Sequence, residues 1–284
     1  MRPEANRSSQ PGPDDGPLAA WSVAARSMTA RSVAARLAAA GFVAAEREAD
    51  ELLAASAGDP DRLASMLARR LHGEPLAWIV GATTFCGLRL EVHTGVYVPR
   101  PQSEALAEAA AAHLPACGVA VDVCTGCGAL AAVLQGRRPL ATVVATDRSV
   151  EAVANARANG VDARQADLLR GLSGALAGRV DVLVGVVPYV PTGMLGLLHR
   201  DALAFEPLDA YDGGPDGTGL LRRVLHDARA LLRPGGLLLL ELGGDQLDAL
   251  LPLLGPLGYR AEAPLLDDEG DVRALVARLG AGRQ

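Results

Sequence analysis

The chain has 284 residues, half of them hydrophobic, and carries 33 acidic against 27 basic side chains for a net charge of −6. That length suits one large α/β domain with a smaller appendage, and the acidic balance argues against a face devoted to nucleic-acid phosphates. The four cysteines (Cys86, Cys117, Cys124, Cys127) are too few and too irregular for a disulfide framework, and the longest apolar runs, such as Leu237–Leu240, are strand-length and too short to span a membrane.

Residues 1–17 are rich in Pro, Gly, Ser and Asp and have no apolar stretch to bury, so they are expected to form a disordered leader. They also lack the apolar core of a signal peptide, and a soluble cytoplasmic protein is expected. From 18 to 74, alanine-rich segments repeat apolar residues at three- and four-residue spacing, with breaks at Gly41 and at Gly58-Asp-Pro60, which predicts a small helical domain. Over 75–98 the run Phe85-Cys-Gly-Leu-Arg-Leu-Glu-Val-His alternates apolar and polar residues around a glycine and reads as a hairpin linker. From 99 to 284 helical and short apolar segments alternate. Strands are predicted at Val119–Val123, Thr142–Asp147, Val180–Val184 and Leu237–Glu241, with helices at Ala105–Leu114, from Leu130, at Glu151–Asn159 and at Leu220–Leu232. Such alternation implies a parallel sheet covered on both faces.

The first of these strands ends in Asp122 and runs into Cys124-Thr125-Gly126-Cys127-Gly128 and a helix. Glycines let backbone amides approach a ligand where a Cβ would collide. The next strand ends in Asp147, placed to accept hydrogen bonds from two ribose hydroxyls, and Asp167 further on is placed to meet an adenine amino group, with Leu168 as an apolar wall. A dinucleotide loop requires Gly-x-Gly-x-x-Gly to cradle a pyrophosphate, and Ala131 breaks that fit. S-adenosylmethionine, which has no phosphate, suits the shorter loop. Asp122 reads either as a helix cap or as a cofactor contact. The Cys124-x-x-Cys127 spacing has no second pair to complete a zinc site, and no metal is expected.

Further segments sharpen this reading. Glu74-Pro-Leu-Ala-Trp-Ile-Val-Gly81, Gly95-Val-Tyr-Val-Pro-Arg-Pro-Gln-Ser-Glu104, the glycine loop, Val187-Pro-Tyr-Val-Pro191, Phe205-Glu-Pro-Leu-Asp-Ala210, Leu232-Arg-Pro-Gly-Gly236 and Glu241-Leu-Gly-Gly-Asp-Gln246 occur in an order and spacing that resemble the release-factor glutamine methyltransferase family. The resemblance runs from Pro75 almost to the end. It implies a Rossmann-like class I methyltransferase domain, with a parallel-rich seven-stranded sheet, behind a small N-terminal helical domain and hairpin linker. It further implies methylation of the side-chain amide of a glutamine in a Gly-Gly-Gln motif of a peptide-chain release factor by a monomer that needs no nucleic acid. Residues 124–128 and Asp147 would hold S-adenosylmethionine. Val186, Val187, Pro188 and Tyr189 would form the substrate pocket, entered between the two domains, and Arg100 and Glu104 would shape its floor.

Two positions depart from the family pattern. Its Asn-Pro-Pro-Tyr signature is Val186-Val187-Pro188-Tyr189 here, so the carbonyl of Val187 and the ring of Tyr189 remain while the Asn oxygen is gone. The loop's first glycine is Cys124, a residue at ease with a negative φ and strained with a positive one. A different acceptor, or a non-catalytic relative that binds cofactor or partner, therefore stands beside the main reading. A nucleic-acid adenine methyltransferase fits less well with the acidic charge. Glu104 and Glu206 read equally as site or as structural carboxylates.

Overall fold

A computed structural model of the chain describes residues 29–198 and 200–281. The expected leader and the first part of the expected helical domain, 18–28, lie outside the described residues. The chain divides into two compact units, one ending at His72 and the other starting at Gly73.

In the first unit, helices α1 (Ala30–Ala39), α2 (Ala45–Ser56) and α3 (Pro60–Leu71) start and stop where local chemistry dictates. Thr29 and Ser32 form a reciprocal capping box on α1, and the Asp59 carboxylate accepts the N–H groups of Asp61 and Arg62 ahead of Pro60, the residue best suited to the first turn. Val33, Leu37, Leu52 and Leu67 are fully buried between these helices. Glu48 and Arg70 form a buried bidentate pair (2.6 and 3.1 Å), and the Arg70 guanidinium lies 4.1 Å from the centre of the Phe42 ring.

The second unit opens with α4 (Leu76–Val80) and a hairpin, β1 (Ala82–Phe85) and β2 (Leu88–Glu91). Phe85 pairs with Leu88, so Cys86 and Gly87 form the turn, both with positive φ (47° and 77°) as a two-residue hairpin turn of type I′ requires. The elements that follow are α5 (Glu104–His113), β3 (Val119–Val123), α6 (Ala129–Arg137), β4 (Thr142–Asp147), α7 (Val150–Ala158), β5 (Asp162–Gln165), α8 (Ser173–Leu176), β6 (Val180–Gly185), α9 (Arg200–Phe205), α10 (Gly219–Ala228), β7 (Leu232–Glu241), α11 (Gln246–Leu254), β8 (Tyr259–Ala261), β9 (Leu265–Leu266) and β10 (Val272–Leu279).

Their sheet runs β5-β4-β3-β6-β7-β10-β8, seven strands in the path, with the two-residue β9 added on β10. Strands β3 to β7 are parallel, and β10 runs antiparallel to β7 and β8. The strands alternate between two apolar layers. Ala120, Val182, Val184, Leu237 and Leu239 meet Leu106, Leu134 and Val153 on one side; Val121, Val123, Leu183, Leu238 and Leu240 meet Leu221, Leu225 and Leu250 on the other. The helix expected to reach Leu232 ends at Ala228, because Leu232 already pairs with Val180 and opens β7. Strand order reverses between β4 and β6 on either side of β3, and this switch point opens a crevice at the carboxyl ends of the strands.

Candidate active site

A cavity of about 610 Å³ occupies that crevice. Asp122, Cys124, Thr125, Gly126, Cys127 and Asp147 all line it, as do Val186 and Pro188. The turn after β3 is held from inside. Asp122, 1% exposed, accepts the Thr125 hydroxyl (2.5 Å) and the Ala131 N–H (3.1 Å) on one carboxylate oxygen. It ties the loop to the first turn of α6, which joins the two readings of this residue: it fixes the helix start and lines the cavity. Burial raises its pKa to about 7 against the lowering effect of those two hydrogen bonds. Thr125 N–H also reaches across to the carbonyl of Thr146 on β4 (2.9 Å).

Asp147 uses both oxygens on backbone: Oδ2 accepts Gly126 N–H (3.0 Å) and Oδ1 accepts Ser149 N–H (2.9 Å). Burial raises its pKa, and these amides oppose the rise. Gly126 has φ 56°, and a Cβ there would find only the Tyr97 carbonyl within 4 Å, at 3.9 Å, so the glycine leaves open space beside the loop. Gly128 does something else. It does not line the cavity; a Cβ on it would lie 3.0–3.2 Å from Val161 and Ala156, so this glycine permits close packing behind the loop. Cys124 takes φ 60°, the left-handed conformation that glycine adopts freely, and burial pushes its thiol well above the usual range.

Several expected site residues face elsewhere. Asp167 does not line the cavity: it is exposed and paired with Arg223 (2.7 Å), whose guanidinium holds its carboxyl below the usual range. Leu168, 6% exposed with φ 55°, packs into the core layer under the sheet. Gln165 at the end of β5 lines the cavity instead, and its side-chain amide donates to the Arg148 carbonyl (3.1 Å). Val187 has no exposed surface, though its carbonyl accepts no hydrogen bond from the described residues. The Tyr189 ring packs 3.5 Å from where a Gly243 Cβ would stand, and its hydroxyl donates to buried Glu241 (3.1 Å), so it backs the cavity wall without forming it. Glu104 is structural: its carboxylate accepts Cys86 N–H (2.9 Å) at the hairpin turn.

Arg100 likewise acts from behind the wall. It pairs with Glu206 and donates to the Tyr211 hydroxyl (2.6 Å), Tyr211 in turn donates to Glu206, and Glu206 accepts Val98 N–H (2.9 Å). This cluster clamps two wall segments together, Tyr97, Pro99 and Ser103 on one side and Pro207, Asp209 and Ala210 on the other. Glu206 is thus resolved as structural. Asp209 also pairs with Arg148, the residue after Asp147. In total the lining holds four carboxylates (Asp122, Asp147, Glu151, Asp209) against one guanidinium, Arg148. No metal-like cluster includes the loop cysteines; among the described residues only Asp267, Glu269 and Asp271 group closely, in the turn before β10, where Asp267 already accepts two backbone amides and pairs with Arg273. No described helix is long and apolar enough to cross a membrane.

A parallel sheet with this strand order, closed by an antiparallel β10 and bearing a glycine loop and strand-end carboxylate at its switch point, defines a class I methyltransferase domain. Comparison with protein-family models finds no match. Comparison with curated sequences narrows the class. The chain is 40% identical over 242 residues to a release factor glutamine methyltransferase of Moorella thermoacetica (81% of this chain, 83% of the relative), and 37% identical over 258 residues to one of Cereibacter sphaeroides (84% and 92%). Among solved structures, a Pyrococcus furiosus methyltransferase covers 68% of this chain and 90% of its own at 22% identity and a TM-score of 0.49. The chain belongs to the release factor glutamine methyltransferase family.

Proposed function

We propose that this protein transfers a methyl group from S-adenosylmethionine to the side-chain nitrogen of a glutamine, in the Gly-Gly-Gln motif of a peptide-chain release factor, working as a monomer in the cytoplasm. The observation that carries the reading is the cavity at the switch point, where Gly126, Asp147, Val186 and Pro188 converge.

The residues present fit the cofactor. Gly126 leaves space for close approach, each oxygen of Asp147 keeps a lone pair after accepting its backbone amide, and the acidic lining suits a cationic ligand. Residues 124–127 and Asp147 would hold it, with Gln165 at the cavity's β5 edge. When bound, S-adenosylmethionine supplies an electrophilic methyl on a positively charged sulfur. The protein's own task is positioning, because an amide nitrogen shares its lone pair with the carbonyl and is a weak nucleophile. The Val187 carbonyl, buried between the cavity-lining Val186 and Pro188 and without a partner among the described residues, is the acceptor for one amide hydrogen as substrate enters. Pro188 limits the pocket, and the apolar wall of Val96, Pro99 and Pro207 excludes water. No group of the chain needs to form a covalent bond to substrate.

A second reading is favoured by one observation: Val186 lines the cavity with a side chain that accepts no hydrogen bond. It is transfer to another acceptor, or binding without transfer. Incubation of the purified chain with labelled S-adenosylmethionine and the release factors of its host separates the two. Label on the Gly-Gly-Gln glutamine is the expected result; calorimetric cofactor binding with no label transferred overturns the glutamine reading.

A further inference from the structure

Among the described residues, two buried side-chain oxygens have no hydrogen-bond partner, Ser103 Oγ and Thr146 Oγ1. Thr146 is enclosed within β4. Ser103, 2% exposed, lines the cavity in the wall segment of Tyr97 and Pro99. A shielded hydroxyl without a partner costs about 1–3 kcal/mol, so it calls for a reason.

The backbone explains where Ser103 sits but not why it is a serine. Its N–H closes a short turn onto the Arg100 carbonyl (3.0 Å), and the clamp of Arg100 on Glu206 fixes that turn. Its hydroxyl caps nothing on α5. The polar group it approaches is the carboxyl of Glu241, which is 3% exposed and accepts the Tyr189 hydroxyl at 3.1 Å. Burial raises the Glu241 pKa, and Ser103 is near enough to oppose that rise without completing a hydrogen bond in this conformation. A hydroxyl has one hydrogen and two lone pairs. With its hydrogen directed at a carboxylate, it presents lone pairs only to a ligand.

The inference rests on the glutamine reading above. A primary amide brings two hydrogens; the Val187 carbonyl takes one, and Val186 takes none. We propose that Ser103 Oγ is the second acceptor, holding the substrate amide from the edge of α5 where the family's asparagine would hold it from position 186. Ser103 is then a substrate-positioning residue, with Glu241 and Tyr189 orienting its hydroxyl.

The test uses the full chain, S-adenosylmethionine and a release factor, with S103A, V186N and the double variant. Turnover, release-factor KM, cofactor Kd by calorimetry and melting temperature are measured for each. S103A is expected to lower kcat ten- to hundredfold while cofactor Kd stays within twofold and the melting temperature does not fall. V186N is expected to restore at least tenfold of the kcat lost in the S103A background. A kcat for S103A within twofold of wild type overturns the inference, as does a loss that V186N does not restore or that is matched by weakened cofactor binding. Wild-type protein that labels no release factor overturns the glutamine reading itself and this inference with it; an active wild type with an equally active S103A overturns the inference alone.

Discussion

Asp147 accepts the backbone N–H of Gly126 at 3.0 Å, so the end of β4 and the loop after β3 are one unit. The same carboxylate holds Ser149 N–H at the start of α7. Replacing it frees two backbone donors and, in the proposed function, removes a cofactor contact with them. D147A is expected to weaken S-adenosylmethionine binding at least a hundredfold by calorimetry and to cost about 1–3 kcal/mol in denaturant unfolding. Unchanged affinity with reduced stability would reduce Asp147 to a loop brace.

Asp122 makes the loop's stability pH-dependent. Its folded pKa, raised by burial to about 7, stands above the ordinary carboxylate value near 3.9. Between these values the folded state keeps a proton that the unfolded state has released, so stability falls as pH rises from about 4 to about 7, then levels off. One such proton gives a slope of up to about 1.4 kcal/mol per pH unit. D122N keeps an oxygen acceptor for Thr125 and Ala131 and has nothing to titrate. It is expected to flatten this part of the stability profile, measured as urea midpoints from pH 4 to 8, and a profile superimposable on wild type would assign the slope to other groups.

Cys124 stands with φ 60° where glycine would be unstrained. A left-handed conformation costs a residue with a Cβ about 1–2 kcal/mol, and glycine returns part of that through a more flexible unfolded chain. C124G is expected to raise stability by about 0.5–1 kcal/mol and to bind cofactor at least as tightly. A lower melting temperature would show that the packing of the Cys124 side chain against the core beneath the sheet outweighs its backbone strain.

These residues also show what a sequence reveals and what it withholds. The loop, Asp122, Asp147 and the alternation of strands were legible because each depends on local chemistry: a glycine where φ is positive, a carboxylate where a strand ends, apolar runs where both faces are covered. The hairpin was legible from Cys86-Gly87 for the same reason. Asp167 and Leu168 were misplaced because a position one step along an irregular turn decides whether a side chain faces the cavity or Arg223 and the core. Gln165 and Ser103 were missed, since neither carries a signal until folding brings β5 and the turn before α5 to the crevice. The positive φ of Cys124 was also hidden, because the residue type alone permits either sign.

The Arg100 and Glu206 pair illustrates long-range order of that kind, with more than a hundred residues between its members in the chain. The Glu206 side chain is 1% exposed, while that of Arg100 is 33% exposed. Truncating the arginine leaves a buried carboxylate with the Val98 N–H and the Tyr211 hydroxyl as its remaining donors. Losing one partner of such a pair costs about 3–5 kcal/mol when both are fully buried, and the partial exposure of Arg100 brings the expectation for R100A to about 2–4 kcal/mol. E206Q removes the stranded charge, so R100A combined with E206Q should be less damaging than the sum of the single changes, with a coupling of at least 1 kcal/mol in denaturant titrations. Because the pair clamps Pro99 to Pro207 across the cavity, R100A should also weaken cofactor binding, and the double variant should recover part of both losses. Strict additivity would mean that the two side chains stabilise the cavity walls separately.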